Sequence, residues 1–434
     1  MFAGKNSKRG RSRARVALLA GGVVAALGFG ALNAGAAAAA PACTGNSITG
    51  QGASLQKIAQ QNVWGPNFGN VICNKGSLPK ISYNSTGSGA GLKEWNYDGT
   101  KGSINTGLAF ISTDDAPTAA QITNIKAVAG GAQVAVIPVT QTALAIVANP
   151  PAGCAVEEIS NGDLTAVFEG RFLTWNQLDT AEAETEGACN SPITRVVRKD
   201  GSGTTYQYKN YLFQANKKAL ACTGAEKQTW AQLEPITNST TGAPNTTWPE
   251  TCAEKTLSTV IRPANTGGGE VVKSVNTTSG SIGYAALPDA MANKTTAIVL
   301  RLQNNGLGSA LEGTYASPIA GSTANCSTMT YKTPTGPNGG LDLDWSQVFG
   351  AKPAIGAGYP LCALTYVLAF HGYGLAGFAQ KDEITARDYL TEYVTAAAGQ
   401  NDINSNFYSA LPSGGEVKTN ILNAAQKAAV RISF

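Results

Sequence analysis

The sequence predicts an α/β fold in two lobes, with several strand-end loops gathered around a shared ligand site. Three observations point there. At 434 residues the chain is longer than one hydrophobic core usually organises. Four strand-like runs end in Ser, Gly or Asp at the start of a helix-like run, and in α/β sheets ligands sit beyond the carboxyl ends of strands. A long β-rich run from Ala135 to Val147 contains Pro138, which cannot continue a central ladder; it suits two strands meeting at a bend, the crossing into a second lobe. The expected division is a first lobe over 43–138, a second over 139–300 and a return to the first over 301–434.

Taken in order, Ser47 to Gly50 reads as a strand and Gly50 to Ser54 as a glycine turn. A helix is expected from Leu55 to Gln61, with Ser54 as N-cap and Leu55 and Ile58 on its apolar face. Leu78 to Tyr83 is a second strand, running into Thr86-Gly87-Ser88-Gly89-Ala90-Gly91 and the helix-like Leu92 to Trp95. Leu108 to Ser112 is another strand end and delivers Asp114 and Asp115 ahead of a helical run, Ala119 to Val128; either carboxylate could simply cap that helix. Beyond the crossing, Ile159 to Phe168 reads as a helix and Gly170 to Leu178 as a surface turn with an aromatic anchor. The Thr-, Asn-, Pro- and Trp-rich stretch Thr223 to Pro249 reads as an excursion on the second lobe. Gly280 to Ala285 is a short strand near the crossing back, Pro360 to Phe370 the most apolar run of the return segment, and Glu383 to Ala398 a helix.

The stretch richest in chemistry is Arg198-Lys199-Asp200-Gly201-Ser202-Gly203-Thr204, between the apolar run Ile193 to Val197 and a helix-like run, Tyr206 to Leu212. A glycine turn at a helix start gathers unpaired backbone N–H groups and the positive end of the helix dipole around one point. Ser202 and Thr204 add hydroxyl donors, and Arg198 adds a planar fork for two oxygens. The loop is a candidate oxyanion site, although an ordinary turn capped by Asp200 or Ser202 fits the same residues. Asp115 would repel an oxyanion unless the ligand carries a proton that the carboxylate can accept. Monohydrogen phosphate has such a proton and sulfate has none, so a buried Asp115 would separate the two.

Composition and termini supply an address. Charged residues are sparse at 14%, and glycine is abundant at 50, the texture of an extracytoplasmic protein. Residues 1–42 read as a secretory signal peptide: Lys5, Lys8, Arg9, Arg11, Arg13 and Arg15 precede an apolar core, Val16 to Leu32, and a tract of small residues, Ala34 to Ala42. Without those 6 basic residues the total of 32 falls to 26, against 28 acidic ones, and a near-neutral chain offers little to nucleic acid. Eight cysteines, at 43, 73, 154, 189, 222, 252, 326 and 362, suggest disulfides. Pairing sequence neighbours joins Cys43 with Cys73, Cys154 with Cys189, Cys222 with Cys252, and Cys326 with Cys362. Cys43 could instead carry lipid at the end of the leader, but Ala40-Pro41-Ala42 lacks the usual leucine and a lipidated Cys43 would leave an odd thiol.

With these residues in hand the chain resembles the extracellular phosphate-binding proteins of ABC-type phosphate importers, over nearly all of its length beyond the leader. The motifs that carry the likeness are Thr49-Gly50-Gln51-Gly52-Ala53-Ser54, Gly87-Ser88-Gly89-Ala90-Gly91, Asp115-Ala116-Pro117, Leu164 to Gly170 with Trp175-Asn176, the Arg198 loop, and Gly280-Ser281-Ile282-Gly283-Tyr284. The resemblance implies a periplasmic-binding-protein-like fold, two α/β lobes joined by a hinge with the ligand in the cleft between them, closing on one dehydrated phosphate. By position it implies that Ser54 and Leu55 form the first phosphate loop and Ser88 and Gly89 the second. Asp115 becomes the proton-accepting carboxylate, and Arg198, Ser202, Gly203 and Thr204 the grip from the second lobe, with Asp200 pairing the arginine. It further implies a monomer without cofactor or catalytic residues, delivering inorganic phosphate to a membrane permease. Two alternatives stand beside it: a wall, matrix or scavenging role that keeps the fold, and a secreted phosphatase. The phosphatase would need a nucleophile or metal group that the sequence does not display, and its one histidine, His371, follows an apolar run and is expected to be packed.

Overall fold

The computed structural model describes residues 41–184, 187–215, 246–248, 259–263, 265–304 and, with interruptions, 314–434. Nearly all of the expected leader, the Cys222 and Cys252 pair and most of the 223–249 excursion lie outside the described residues.

The organising element is a single strand. After β1 (Ile48–Gly52), β2 (Ile81–Ser85) and β3 (Phe110–Thr113), strand β4 runs for 17 residues from Gln133 to Asn149. Then come β5 (Thr194–Val196), β6 (Thr259–Ile261), β7 (Ser281–Ala286) and β8 (Cys362–His371). The sheet order is β2-β1-β3-β8-β4-β7-β5-β6. β1 pairs in parallel with β2 and β3, and β5 in parallel with β6 and β7, so each half holds a parallel set. β4 joins them: Gln133–Ala143 pairs with β8, and Leu144–Asn149 pairs with β7, both antiparallel. Its buried run of Val, Ile, Leu and Ala suits a strand covered on both faces.

This corrects the expectation of two strands meeting at Pro138. The strand is continuous, and the proline sits at a bulge: Tyr366 faces Pro138 and Thr365 faces Thr140, leaving Val139 as the extra residue. A bulge absorbs the missing N–H of proline without ending the ladder.

Helices cover the sheet. They are α1 (Ser88–Glu94), α2 (Ala119–Val128), α3 (Asn161–Phe168), α4 (Gly203–Ala215), α5 (Gly268–Thr277), α6 (Leu287–Asn293) and α7 (Gln380–Thr395). They are followed by α8 (Ala397–Asp402) and α9 (Ile421–Ala429). In α7 Ala386, Tyr389, Leu390 and Tyr393 are buried at helical spacing. Tyr389 meets Phe68 edge-on at 5.4 Å, and Tyr393 lies against Trp64.

Two local expectations differ. The helix foreseen over Leu55–Gln61 is an irregular helical run to Ile72, beginning as a tight turn at Ser54–Gln56. Ser54 is the first residue of that turn; Ala53 holds the cap position and no side chain caps it. His371 is exposed rather than packed, because it is the last residue of β8, where its Nδ1 lies 2.6 Å from the Arg431 carbonyl and 2.9 Å from the Ser433 hydroxyl. The disulfides Cys43–Cys73, Cys154–Cys189 and Cys326–Cys362 form as sequence neighbours.

Candidate functional site

The loops that leave β1, β2, β3 and β5 converge. β5 delivers Arg198, whose Nε donates to Asp200 Oδ1 at 2.7 Å while Nη2 bonds Oδ2, a two-point clamp that fixes the guanidinium. Nη1 has no hydrogen-bond partner among the described residues, although Arg198 is only 3% exposed. Ser202 is the N-terminal cap of α4: its hydroxyl accepts from the Thr205 N–H at 3.2 Å, and its own N–H donates to the Thr246 carbonyl at 2.8 Å. The capped-turn reading of Ser202 therefore holds, while Asp200 is the partner of Arg198. Beneath the loop, Thr205 and Tyr284 share a hydroxyl contact at 2.7 Å, and Tyr284 stacks on Tyr208 with centroids 4.3 Å apart. Phe168 and Trp248 complete this aromatic support.

From the other half, β3 presents Asp114 and Asp115, both buried. Neither caps α2: Thr118 does so, in a reciprocal capping box with Gln121. Asp114 is a junction. Its carboxylate accepts from the Thr365 hydroxyl at 2.8 Å and the Thr204 hydroxyl at 3.1 Å, its carbonyl accepts from Gln207 at 2.9 Å, and its N–H donates to the Ser88 hydroxyl at 3.1 Å. Asp115 accepts from the Thr113 hydroxyl at 2.9 Å. Burial raises Asp114 to about 6, against the pull of Thr365, Thr204 and the charge of Arg198. Burial raises Asp115 to about 7, opposed by Thr113 and reinforced by the neighbouring Asp114.

The halves touch where glycines allow it. A Cβ on Gly203 would fall 2.5 Å from Asp115 Oδ1, and one on Gly87 would fall 2.6 Å from Asp200 Oδ2. The Gly89 N–H donates to the Gly201 carbonyl at 3.4 Å. Ser54 is buried at the same seam, its Cβ 3.7 Å from where a Cβ on Gly267 would be. Leu55 is buried, and its carbonyl accepts from the Tyr408 hydroxyl at 2.6 Å.

The structure thus brings Ser88, Gly89, Asp115, Arg198, Asp200, Ser202, Gly203 and Thr204 to one seam, with Ser54 at its edge beside Gly267. Asp114 was visible in the sequence as half of an acidic pair. The roles of Thr113, Thr365 and Gln207 had no local signature, since they depend on which strands and helices become neighbours.

Two α/β halves bridged by one strand, with strand-end loops meeting across the seam, define a two-lobed binding protein. The chain belongs to the PBP superfamily, whose domain matches residues 37–396. No curated protein matches the sequence. Among solved structures, a high-affinity periplasmic phosphate-binding protein, PfluDING, solved with phosphate, aligns at 21% identity over 89% of this chain and 94% of its own, with a TM-score of 0.57. A phosphate-binding protein from Stenotrophomonas maltophilia aligns at 18% over 88% and 93%, with a TM-score of 0.55. A human phosphate-binding apolipoprotein aligns at 21% over 89% and 94%, with a TM-score of 0.57. These likenesses establish the shared fold.

Proposed function

We propose that this protein captures inorganic phosphate between its lobes by closing about β4, and serves as the extracytoplasmic solute-binding component of an ABC-type importer. The observation that carries the reading is the meeting of a buried, clamped Arg198 with the buried Asp114–Asp115 pair across Gly203. A cation with a free donor beside protonatable carboxyls suits an oxyanion that carries a proton.

In this reading Arg198 Nη1, the Ser202 hydroxyl and the backbone N–H groups of Gly203 and Thr204 hold phosphate from one lobe, while the Thr204 hydroxyl stays on Asp114. Ser54, Leu55, Ser88 and Gly89 hold it from the other through hydroxyl and backbone donors, the Gly89 N–H turning to the ligand from its long 3.4 Å bond to the Gly201 carbonyl, and Asp115 accepts the ligand proton. The lobes, expected from the sequence to divide at 138/139 and 300/301, exchange in this reading further along β4, where its partner changes from β8 to β7 after Ala143, and again near 300/301. The leader over 1–42 directs export, which suits the three disulfides. Cys43 bonded to Cys73 favours a chain without lipid at that residue. The role is capture rather than catalysis, by a monomer that hands phosphate to a membrane permease. The fold shared with phosphate-binding proteins supports the ligand.

A thermal unfolding series checks this. After any co-purified ligand is stripped by partial unfolding, phosphate at 100 times its Kd should stabilise the native state by about 2.7 kcal/mol. Sulfate, molybdate and citrate should not. No shift with phosphate would refute the reading.

A further inference from the structure

Asp289 is the third residue of α6, in its first turn and just after β7, and is only 5% exposed. Its Oδ2 has no hydrogen-bond partner among the described residues, as is also true of Arg198 Nη1. The charges that act on Asp289 come from three other segments: Arg198 after β5, Lys57 in the helical run after β1, and Asp114 after β3. The phenol of Tyr408 feels the Asp289 charge in turn.

Two glycines fix its place. Gly267 is the N-cap of α5, with φ of 105°, and a Cβ there would lie 3.7 Å from that of Ser54. A Cβ on Gly268 would lie 2.5 Å from Asp289 Oδ2, so any side chain at 268 would displace the carboxylate. Asp289 therefore stands over the start of the 10-residue helix α5, beside the first loop. A carboxylate at a helix start needs no ligand by itself. The unused Oδ2 and the unused Nη1 of Arg198 are the second observation. A buried acceptor and a buried donor that feel each other's charge without bonding are satisfied together by a group that offers an acceptor to one and a hydroxyl to the other.

We propose that Asp289 is a second ligand-facing carboxylate, so that the cleft reads two protons on bound phosphate rather than one. The proposal rests on the phosphate reading above. Its proton balance is explicit. Monohydrogen phosphate brings one proton, Asp115 and Asp289 together require two, and the second comes from solvent. Burial raises both carboxyls to about 7, so at pH 8 both are mostly ionised before binding. Asp114, raised to about 6, is ionised there and occupied by Thr204 and Thr365. Capture at pH 8 should then take up about one proton per phosphate, and the apparent Kd should rise about tenfold per pH unit above that.

The test is calorimetric titration of the stripped wild-type chain with inorganic phosphate at pH 8, in two buffers of different ionisation enthalpy. The wild type should take up about one proton per phosphate. Asp289→Asn should still bind phosphate, with uptake near zero and a flattened pH dependence of Kd. Wild-type uptake near zero would overturn the proposal, as would an Asp289→Asn protein that matches the wild type. Should that variant fail to fold, the wild-type proton count decides alone. A wild type that binds no phosphate at any pH would overturn the phosphate reading itself, and the proposal with it.

Discussion

Thr204 donates its hydroxyl to the Asp114 carboxylate at 3.1 Å, joining the first turn of α4 to the end of β3. The same carboxylate accepts from Thr365 of β8, and Gln207 of α4 donates to the Asp114 carbonyl. Asp114 thus fastens the two halves without needing to touch a ligand. Asp114→Ala would leave the buried Thr204 hydroxyl short of an acceptor, at about 1–3 kcal/mol, while Thr365 keeps the Thr113 carbonyl at 3.2 Å. If the fastening acts in the closed state, phosphate release should accelerate about tenfold or more while association changes little. Stopped-flow association and dissociation rates check this; a loss confined to association would contradict it.

Arg198 is held by Asp200, and its Nη1 has no hydrogen-bond partner among the described residues. Arg198→Ala should weaken phosphate binding by about 2–5 kcal/mol, as expected for one partner of a desolvated ion pair. Because Asp200 would lose its own partner, Arg198→Lys is the informative companion. It keeps the charge but not the fork, and should recover only part of the loss in a titration.

The buried carboxyls give the phosphate-free protein a pH dependence of known sign. Burial raises Asp114 to about 6 and Asp115 and Asp289 to about 7. Between about pH 4 and 7 the folded state holds protons that the unfolded chain has released, so stability falls as pH rises through that window and levels off above it. Thermal midpoints should therefore fall from pH 5 to pH 7, and an Asp114→Asn, Asp115→Asn double variant should show a shallower fall. A midpoint that rises across the window would contradict the burial argument.

The disulfides close loops of 30, 35 and 36 residues. Chain-entropy reasoning assigns each about 4 kcal/mol. Replacing Cys154 and Cys189 together by Ala should lower stability by about 2–5 kcal/mol in denaturant titration. Peptide mapping without reductant should recover Cys43 joined to Cys73, which would leave no thiol there for lipid; a lipid-bearing Cys43 peptide would refute that.

Much of this was legible in the sequence, because the signals were local. A strand, a glycine-rich turn and a helix start announce a loop such as Arg198 to Thr204 whatever its neighbours are. Pro138 announced a disturbance in β4, but its nature depended on β8, which supplies Tyr366 and Thr365 on the other side of the bulge. The same distance in sequence hid Thr365 as a partner of Asp114, 251 residues away. Ser54 looked like a cap because its residue type favours that position; the turn beginning there makes it a seam residue instead. Asp289 carried no motif, and only the fold brings it into the electrostatic reach of Arg198.

The most direct test is a titration of the stripped wild-type protein and Asp115→Asn with phosphate and with sulfate at pH 8, where Asp115, raised by burial to about 7, is mostly ionised. The wild type should bind one phosphate and show no sulfate binding at concentrations that saturate phosphate. Asp115→Asn should bind phosphate more weakly and narrow the gap to sulfate, since the carboxylate that needs a ligand proton is gone. A wild type that binds both anions equally, or a variant with unchanged affinity and selectivity, would contradict the claim that a buried carboxylate reads the proton on phosphate.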